Sequence, residues 1–331
     1  MVTRIGIVGF GWVARDYMLP AIQASPGAEL RAVVSVRPAD FEGLPSYVGT
    51  FVDVESMLRE TDLDAVYIAS PNHLHRPHAV ACLEAGLHVL CEKPLAHTCA
   101  EAMQIVAAAE RSKSCFLTAF DQRYHPAHER IAREIAAGTL GKLTQIRIDY
   151  ACWLPADWCA DNWRIDPDRA GGGAVIDLAP HGLDLVEHLS GQRITELHTL
   201  YQRVAHDYGV DDGGMLMARL SSGALASLSV GYNRPETLPR RRLEIFGTKG
   251  MFLATNTMGQ EAGGELRFIS AETGSVETEV TFDNTRSPFA AQLDYFLTLC
   301  SDTRHEGRSP ADDLRLAELL ESCQLNETLW H

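Results

Sequence analysis

The sequence has few basic residues relative to its acidic ones, and it has no long hydrophobic run. Lys and Arg number 29 against 44 Asp and Glu in 331 residues, which gives a formal net charge of -15. This charge disfavours long-range attraction to nucleic acid or to an anionic membrane. Charge, Gly or Pro interrupts every apolar run before the roughly 20 residues that a membrane-spanning helix requires. We therefore expect a small-molecule ligand, with no nucleic-acid or membrane partner.

The sequence also lacks the usual marks of an exported or metal-binding protein. Its first residues enter a strand pattern at Arg4-Ile5-Gly6-Ile7-Val8 without the pattern of a signal peptide. The eight cysteines include no C-x-x-C pair and no zinc-ligand spacing. His73, His75 and His78 lie close together, but no convincing set of carboxylates or thiolates accompanies them. We expect a cytoplasmic protein with reduced thiols and no metal site.

Residues 1 to about 120 alternate short apolar runs with amphipathic stretches. This rhythm is typical of parallel strands joined by crossover helices. The predicted strands of this part are Arg4 to Gly9, Leu30 to Val36, Thr50 to Val52, Ala65 to Ser70, His88 to Cys91 and Cys115 to Ala119. Thr98 and Glu101 form a capping pattern that opens a helix between the last two strands. We predict the α/β class, with an N-terminal doubly wound parallel sheet of the Rossmann type.

The pattern changes after a predicted helix at Pro126 to Ala137. Longer alternating segments follow, mostly without helices between them, and turn signals such as Ser221-Ser222-Gly223 separate them. These predicted strands are Lys142 to Trp153, Leu197 to Val204, Met215 to Leu220, Ala224 to Tyr232, Arg241 to Phe246, Glu265 to Ile269 and Val276 to Phe282. We predict a C-terminal α+β domain with a large, mostly antiparallel open sheet. The expected domains are residues 1–122 and 123–331.

The turn Gly9-Phe10-Gly11-Trp12-Val13-Ala14 has the G-x-G-x-x-A pattern directly after a strand and before a helical segment. In such a turn the first glycine permits the tight bend, and the second lets backbone amides approach a pyrophosphate. The positive end of the following helix faces the phosphates. An ordinary glycine-rich turn is the alternative, but the βαβ rhythm that follows favours a dinucleotide site.

The end of the second predicted strand bears on the choice of dinucleotide. It carries Ser35 and Arg37, and no acid stands at the place where Asp or Glu binds a free ribose 2′-hydroxyl. A hydroxyl and a guanidinium suit a 2′-phosphate. We therefore favour NADP(H), with NAD(H) as the alternative. In the other interpretation, Arg37 is a solvated loop residue.

Three polar clusters are expected where ligands bind in open α/β sheets, at the carboxyl edge of the strands. The first is Ser70-Pro71-Asn72-His73-Leu74-His75, and the second is Cys91-Glu92-Lys93-Pro94. A lysine that follows a buried strand is suited to proton transfer, although Glu92 and Lys93 are also consistent with a surface ion pair.

The third cluster runs from Gly171 to Asp184 and contains Asp177 and His181, four residues apart. On a helix these two would share one face, but Pro180 makes a regular helix conditional. A histidine beside an acid can exchange a proton with a substrate hydroxyl. A structural histidine is the alternative.

In their order and spacing, these motifs resemble those of the Gfo/Idh/MocA oxidoreductases. The resemblance covers nearly the whole chain and includes the following segments: the glycine turn, Pro71-Asn72-x-x-His75, Glu92-Lys93-Pro94, Arg123-Tyr124-x-Pro126, Trp163-Arg164 and Gly171 to Asp184. It implies a Rossmann domain followed by an α+β domain whose open sheet forms oligomer contacts. A homodimer or homotetramer is the expected assembly.

The resemblance also implies residue roles. Lys93 would polarise the reacting oxygen, Asp177 would bind substrate, and His181 would act as general acid and base. The remaining implied site residues are Gly9, Phe10, Gly11, Trp12, Val13, Ser35, Arg37, Ser70, Asn72, His75 and Glu92 for the cofactor, and Arg123, Trp163 and Arg164 for the substrate.

The function expected from the sequence is hydride transfer between a nicotinamide and a hydroxyl or carbonyl carbon of a sugar, cyclitol or related polyol. Two alternatives stay open. One is a glycosidase that oxidises its substrate transiently, and the other is a non-catalytic dinucleotide sensor. The intact set of Lys93, Asp177 and His181 argues against the sensor.

Overall fold

A computed structural model describes residues 2–158, 161–274, 276–301 and 309–325. Every predicted site residue lies in these ranges, and of the eight cysteines of the sequence Cys159 lies outside them. The described residues fall into two compact units. The first lies within Met1–Ala119 and Phe289–Glu318, and the second within Phe120–Pro288 and Leu319–His331. The domain boundary expected between residues 122 and 123 stays a prediction.

The first unit is built on a six-stranded sheet in which all neighbouring strands are parallel. Its strands are β1 (Thr3–Val8), β2 (Ala28–Val34), β3 (Gly49–Phe51), β4 (Ala65–Ile68), β5 (His88–Glu92) and β6 (Phe116–Ala119). Their spatial order is β3-β2-β1-β4-β5-β6. The helices are α1 (Leu19–Ala24), α2 (Val54–Glu60), α3 (His75–Glu84), α4 (Cys99–Arg111) and most of α8 (Pro288–Ser301). The strand order reverses between β1 and β4, which is where ligands bind in such sheets.

Apolar side chains cover both faces of this sheet. Val66 and Ile68 of β4 lie in one buried cluster with residues of α2, α3 and α4. Tyr67 lies in a second cluster with residues of α1 and α8. Because successive side chains of a strand point to opposite faces, helices on both sides bury the whole strand. This is the doubly wound arrangement.

The second unit contains an eight-stranded sheet. Its strands are β7 (Leu143–Ala151), β8 (Ile194–Gln202), β9 (Gly213–Leu220), β10 (Leu225–Gly231), β11 (Arg241–Gly247), β12 (Gly250–Thr255), β13 (Glu265–Ser270) and β14 (Glu277–Glu279). The order is β14-β13-β12-β11-β7-β10-β9-β8, and every neighbouring pair is antiparallel except β7 and β10. The helices α5 (Pro126–Ala136), α6 (Pro167–Ala170) and α7 (Ala174–Ser190) belong to this unit, and α9 (Pro310–Leu325) begins in the first unit and ends in the second.

The helix α7 covers one face of the second sheet, where it contacts β7, β8, β9 and β10. Leu216 of β9 is buried, whereas its neighbours Met215 and Met217 are exposed. This alternation indicates that the sheet face opposite α7 is open. Gly182 allows the helix to approach the sheet, because a Cβ there would lie 2.5 Å from Cδ2 of Leu228 in β10.

The predicted fold class is confirmed, since the first sheet is parallel and the second is mostly antiparallel. The prediction omits β12. Its start belongs to the turn pattern Thr248-Lys249-Gly250, and the apolar run that follows does not alternate. Pairing with β11 and β13 makes this segment a strand.

Within the described ranges, no helix is both long enough and apolar enough to cross a membrane. The cytoplasmic location stays a prediction.

Candidate active site

The two glycines of the turn after β1 differ in what they contribute to the fold. The folded protein requires glycine at position 9 but not at position 11. Gly9 has a φ of 87°, and a Cβ there would lie 2.5 Å from the backbone N of Ser70. This conformation and this close approach suit glycine alone. A Cβ on Gly11 would instead meet no atom within 4 Å. The open space beside Gly11 fits a pyrophosphate that approaches the backbone amides.

The other residues of the turn attach it to the core of the first unit. Phe10 is buried, and Val13 packs against the same apolar cluster. The ring of Trp12 meets Tyr17 edge to face, with centroids 5.5 Å apart and an interplanar angle of 79°. These contacts fix the shape of the turn before any ligand binds.

A carboxylate that the sequence analysis did not consider lies at the end of β2. Asp40 accepts a short hydrogen bond from the hydroxyl of Ser35 and a 3.1 Å hydrogen bond from Nε of Arg37. The side chain of Asp40 is 9% exposed, whereas that of Arg37 is 56% exposed. No acid stands at the carboxyl end of the strand, but the turn that follows supplies Asp40. Arg37 is therefore an ion-paired residue rather than a fully solvated one.

His75 connects the loops that follow β4 and β5. Its Nδ1 lies 2.9 Å from the carbonyl oxygen of Pro94, and its Nε2 lies 2.9 Å from that of Ser70. Burial lowers the pKa of His75 to about 4, so the ring is neutral near neutral pH. The hydroxyl of Ser70 lies 3.0 Å from Nδ1 of His78. Asn72 is buried in the same loop, and it begins a short 3₁₀ turn.

Glu92 and Lys93 follow β5 at the same edge of the sheet. The hydroxyl of Tyr67, on the neighbouring strand β4, donates a 2.6 Å hydrogen bond to Oε1 of Glu92. Tyr67 is only 1% exposed, so the carboxylate is anchored to the core of the first unit. Lys93 is half-buried. Because Glu92 is anchored and Lys93 is half-buried, these two residues differ from a solvated surface ion pair.

In the second unit, a carboxylate distant in sequence explains part of the glycine run before α7. Asp211 accepts hydrogen bonds from the backbone N of Gly173, at 2.9 Å, and of Val175, at 2.8 Å. A Cβ on Gly173 would lie 2.0 Å from the carbonyl oxygen of Asp211. These bonds satisfy amides in the first turn of the helix, which have no partner within it. Gly173 is thus required by the protein fold.

The helix α7 continues through Pro180, so Asp177 and His181 stand about one turn apart. Asp177 accepts a 2.7 Å hydrogen bond from the hydroxyl of Tyr232, and its Oδ2 lies 3.9 Å from Nε of Arg164. Burial raises the pKa of Tyr232 well above its ordinary value, and the charge of Asp177 adds to this shift. The tyrosine therefore remains a proton donor to the carboxylate.

Arg164 also lies beside two aromatic rings. Its guanidinium carbon is 4.6 Å from the ring centroid of Trp163 and 5.4 Å from that of Trp158. Cation–π contacts of this kind orient a guanidinium. The predicted substrate residues Trp163 and Arg164 are thus brought together with Asp177.

His181 is paired with a second residue that the sequence analysis did not consider. Its Nδ1 lies 3.1 Å from Oδ1 of Asp121, and both side chains are 3% exposed. The ring of Tyr150 meets the imidazole edge to face, at 5.5 Å between centroids.

Arg123, expected at the substrate, forms a two-pronged ion pair with the buried Asp184, with distances of 2.5 and 2.6 Å.

The chain matches two family models, one in each half. Residues 3–120 match the GFO/IDH/MocA model described as an oxidoreductase family with an NAD-binding Rossmann fold. Residues 128–253 match the GFO/IDH/MocA C-terminal domain. The chain therefore belongs to the GFO/IDH/MocA oxidoreductase family. The resemblance drawn from the motifs is confirmed.

Curated relatives cover most of the chain. It is 31% identical to 1,5-anhydro-D-fructose reductase of Ensifer adhaerens, over 81% of this chain and 80% of the relative. It is 33% identical to D-xylose 1-dehydrogenase (NADP(+)) 2 of Haloferax volcanii, over 85% of this chain and 84% of the relative. The predicted class of enzyme, a nicotinamide-dependent dehydrogenase or reductase that acts on CH-OH groups, is confirmed by these relatives and by the family.

A solved structure shares the fold. The crystal structure of aldose-aldose oxidoreductase from Caulobacter crescentus, complexed with glycerol, superposes with a TM-score of 0.87 at 22% identity. The match covers 98% of this chain and 97% of the other. At this identity the comparison supports the fold alone.

Proposed function

We propose that the protein transfers a hydride between a nicotinamide and a hydroxyl or carbonyl carbon of a sugar, cyclitol or related polyol. The observation that carries the proposal is the arrangement on α7. There a buried imidazole, His181, stands one turn from Asp177, a carboxylate held by Tyr232 and Arg164. The names of the relatives from Ensifer adhaerens and Haloferax volcanii, a sugar-derivative reductase and a sugar dehydrogenase, support this class of substrate.

The nicotinamide supplies the hydride acceptor for oxidation and the hydride donor for reduction. His181 takes the hydroxyl proton during oxidation and returns it during reduction. Asp177 accepts a hydrogen bond from a substrate hydroxyl, and its bond from Tyr232 fixes the direction in which it accepts. The ammonium of Lys93 donates to the reacting oxygen and stabilises the negative charge that develops there. Trp163, Arg164 and Arg123 complete the proposed substrate contacts.

The proposed cofactor is NADP(H), with NAD(H) as the alternative. Ser35 and Arg37 are the proposed ligands of the 2′-phosphate, and both are anchored at the end of β2. The Haloferax volcanii relative is named for NADP(+), which supports this choice. The proposed contacts to the rest of the dinucleotide are those expected from the sequence: Gly9, Phe10, Gly11, Trp12, Val13, Ser70, Asn72, His75, Glu92 and Lys93.

The proposed assembly is a homodimer or homotetramer that forms through the open face of the second sheet. Leu200, Met215 and Met217 are 61–70% exposed on this face, and Leu200 is paired with Met215 in the β8–β9 register. Exposed apolar side chains in a contiguous patch indicate an interaction surface. Light scattering on the wild type and on the Met215→Glu variant tests the assembly, since a buried glutamate would dissociate it.

The test of the reaction is a panel of aldoses, anhydro sugars, glycosides and inositols with NAD and NADP. Nicotinamide absorbance and glycoside cleavage are followed together. Lys93→Met and His181→Asn should abolish turnover and retain cofactor binding, whereas Lys142→Met, at an exposed position, serves as the matched control. Glycoside cleavage without net change of the cofactor would indicate the redox glycosidase. Binding of the dinucleotide without turnover on any member of the panel would indicate the sensor.

A further inference from the structure

A buried aspartate from outside α7 faces the proposed acid and base. Asp121 begins the 3₁₀ turn Asp121–Tyr124, which follows β6 in the chain. Its Oδ1 lies 3.1 Å from Nδ1 of His181, and both side chains are 3% exposed. At this distance in a nearly dry environment, the carboxylate can fix the orientation of the imidazole ring.

The carboxylate of Asp121 is itself held in place. Its Oδ2 accepts a 2.9 Å hydrogen bond from Nε2 of Gln122, which is fully buried. The same amide donates to the carbonyl of Gly259 at 2.9 Å and accepts from its backbone N at 3.1 Å. Because both ends of the amide are used, Gln122 has one orientation. Asp121 therefore presents Oδ1 to the imidazole.

The loop that holds Gln122 depends on a glycine. Gly259 has a φ of 137°, a conformation that favours glycine. A Cβ there would lie 2.4 Å from Nη1 of Arg241. A larger residue at position 259 would therefore require Arg241 or the loop to move. The backbone groups of Gly259 that bond Gln122 depend on this glycine.

The other ionisable groups around His181 are not charged partners of its Nδ1 atom. Tyr150 faces the ring from β7, and burial raises the pKa of that tyrosine, with the charge of Asp121 contributing. Asp184, on the next turn of α7, is engaged by Arg123. Asp177, on the preceding turn, is bonded by Tyr232. Each nearby acid therefore has its own partner.

We propose that Asp121 is the positioning residue for His181. Its carboxylate, 3.1 Å from Nδ1, would favour the tautomer that carries the proton on Nδ1, so that Nε2 is the ring nitrogen that exchanges a proton with the substrate hydroxyl. During oxidation Nε2 would take the O–H proton of the substrate as its C=O bond forms, and a bound nicotinamide would supply the acceptor for the hydride that leaves carbon. The resulting imidazolium then lies beside the charge of Asp121, which stabilises it. This inference rests on the proposed function, because His181 must be the acid and base.

The main test is the isosteric variant Asp121→Asn. An amide can hold the imidazole in either tautomer, so we expect kcat to fall about 100-fold. The KM and the dissociation constant of the dinucleotide should stay within about threefold of the wild type, since Asp121 contacts neither ligand in the proposed mechanism. Glu187→Gln is the matched control. It also removes a buried carboxylate charge from the second unit, at the C-terminal part of α7, where Glu187 bonds Ile194.

A second measurement does not depend on activity. In protein with ¹⁵N-labelled histidine, long-range ¹H–¹⁵N spectra distinguish the two tautomers, and His181→Asn identifies the signals of the ring. The wild type should carry its proton on Nδ1 at neutral pH, and Asp121→Asn should shift the population towards Nε2–H. A wild-type ring protonated on Nε2 alone would overturn the proposal.

The two measurements separate the proposal from the function on which it rests. If His181→Asn is inactive and Asp121→Asn keeps its kcat within about threefold of the wild type, the positioning role is wrong. If His181→Asn is fully active, or the wild type turns over no substrate, the proposed function fails. The tautomer of the wild-type ring then decides whether Asp121 positions it.

Discussion

The hydroxyl of Tyr232 donates a 2.7 Å hydrogen bond to Oδ2 of Asp177. Tyr232→Phe removes this donor from a buried position and leaves the carboxylate less well oriented. A hydrogen bond to a charged group contributes about 1.5–3 kcal/mol, so we expect kcat/KM for the polyol to fall about tenfold or more. Steady-state kinetics across the substrate panel measure the change.

The matched control for this variant is Tyr208→Phe. Tyr208 is also buried, and its hydroxyl has no hydrogen-bond partner among the residues that the structure describes. Its removal should leave kcat/KM unchanged. Equal losses in the two variants would show that a buried tyrosine hydroxyl matters for packing and not for Asp177.

The two glycines of the dinucleotide turn should respond differently to alanine. Gly9→Ala places a Cβ 2.5 Å from Ser70 in a left-handed conformation, so it should lower the free energy of unfolding of the free protein by about 1–3 kcal/mol. Gly11→Ala meets no protein atom within 4 Å and should leave that free energy nearly unchanged. It should nevertheless weaken dinucleotide binding strongly, because the new methyl group occupies the space proposed for the pyrophosphate.

Urea unfolding and calorimetric titration of both variants separate these effects. Normal dinucleotide affinity in Gly11→Ala would mean that the pyrophosphate lies elsewhere.

More of the fold than of the candidate site could be predicted from the sequence. The parallel sheet and the glycine turn were predictable because each depends on local patterns: the spacing of apolar runs, and glycines between a strand and a helix. The partner of His181 was not predictable in this way, because Asp121 lies 60 positions earlier in the chain. Its one signal is its place two residues before Arg123, the first residue of the Arg123-Tyr124-x-Pro126 segment.

The run of glycines before α7 illustrates the same limit. The sequence indicates a close approach of the backbone, and this close approach is found at Gly173. Its partner is Asp211, 38 residues away in the chain, and not a ligand. A run of glycines in a sequence indicates that other atoms approach the backbone closely. Only the tertiary structure shows which atoms these are.

If Arg37 binds the 2′-phosphate of NADP as proposed, Asp40 should weaken that binding. A 2′-phosphate must attract the same hydroxyl and guanidinium that Asp40 already engages. Asp40→Asn should therefore tighten NADP binding, and Arg37→Ala should weaken it about tenfold, with little change for NAD. Calorimetric dissociation constants for both dinucleotides measure these effects.

Arg31→Ala is the control for Arg37, because Arg31 lies on β2 itself and pairs with Glu29 at the surface. An equal loss of NAD and NADP affinity in Arg37→Ala would show that the guanidinium does not discriminate the 2′-phosphate.

Buried histidines should make the protein less stable at mildly acidic pH. Burial lowers the pKa of His75 and of His128 to about 4, against 6.5 for the ordinary side chain. Between these values the unfolded chain binds more protons than the folded protein, so the free energy of unfolding falls as the pH falls. Each histidine should contribute a loss of up to about 3 kcal/mol by pH 4. Urea unfolding at a series of pH values measures the loss.

The variant His128→Gln identifies one part of this loss. It removes a ring that bonds the carbonyl of Gln122 and the hydroxyl of Thr257, so stability at neutral pH should also decrease. Near pH 5, however, the dependence of unfolding free energy on pH should be shallower by about 1.4 kcal/mol per pH unit, because one proton fewer is taken up on unfolding. Asp212, whose pKa is lowered because hydrogen bonds from Asn233 and backbone amides outweigh burial, affects stability only at still lower pH. An unchanged slope in His128→Gln would therefore mean that this ring is already protonated in the folded protein.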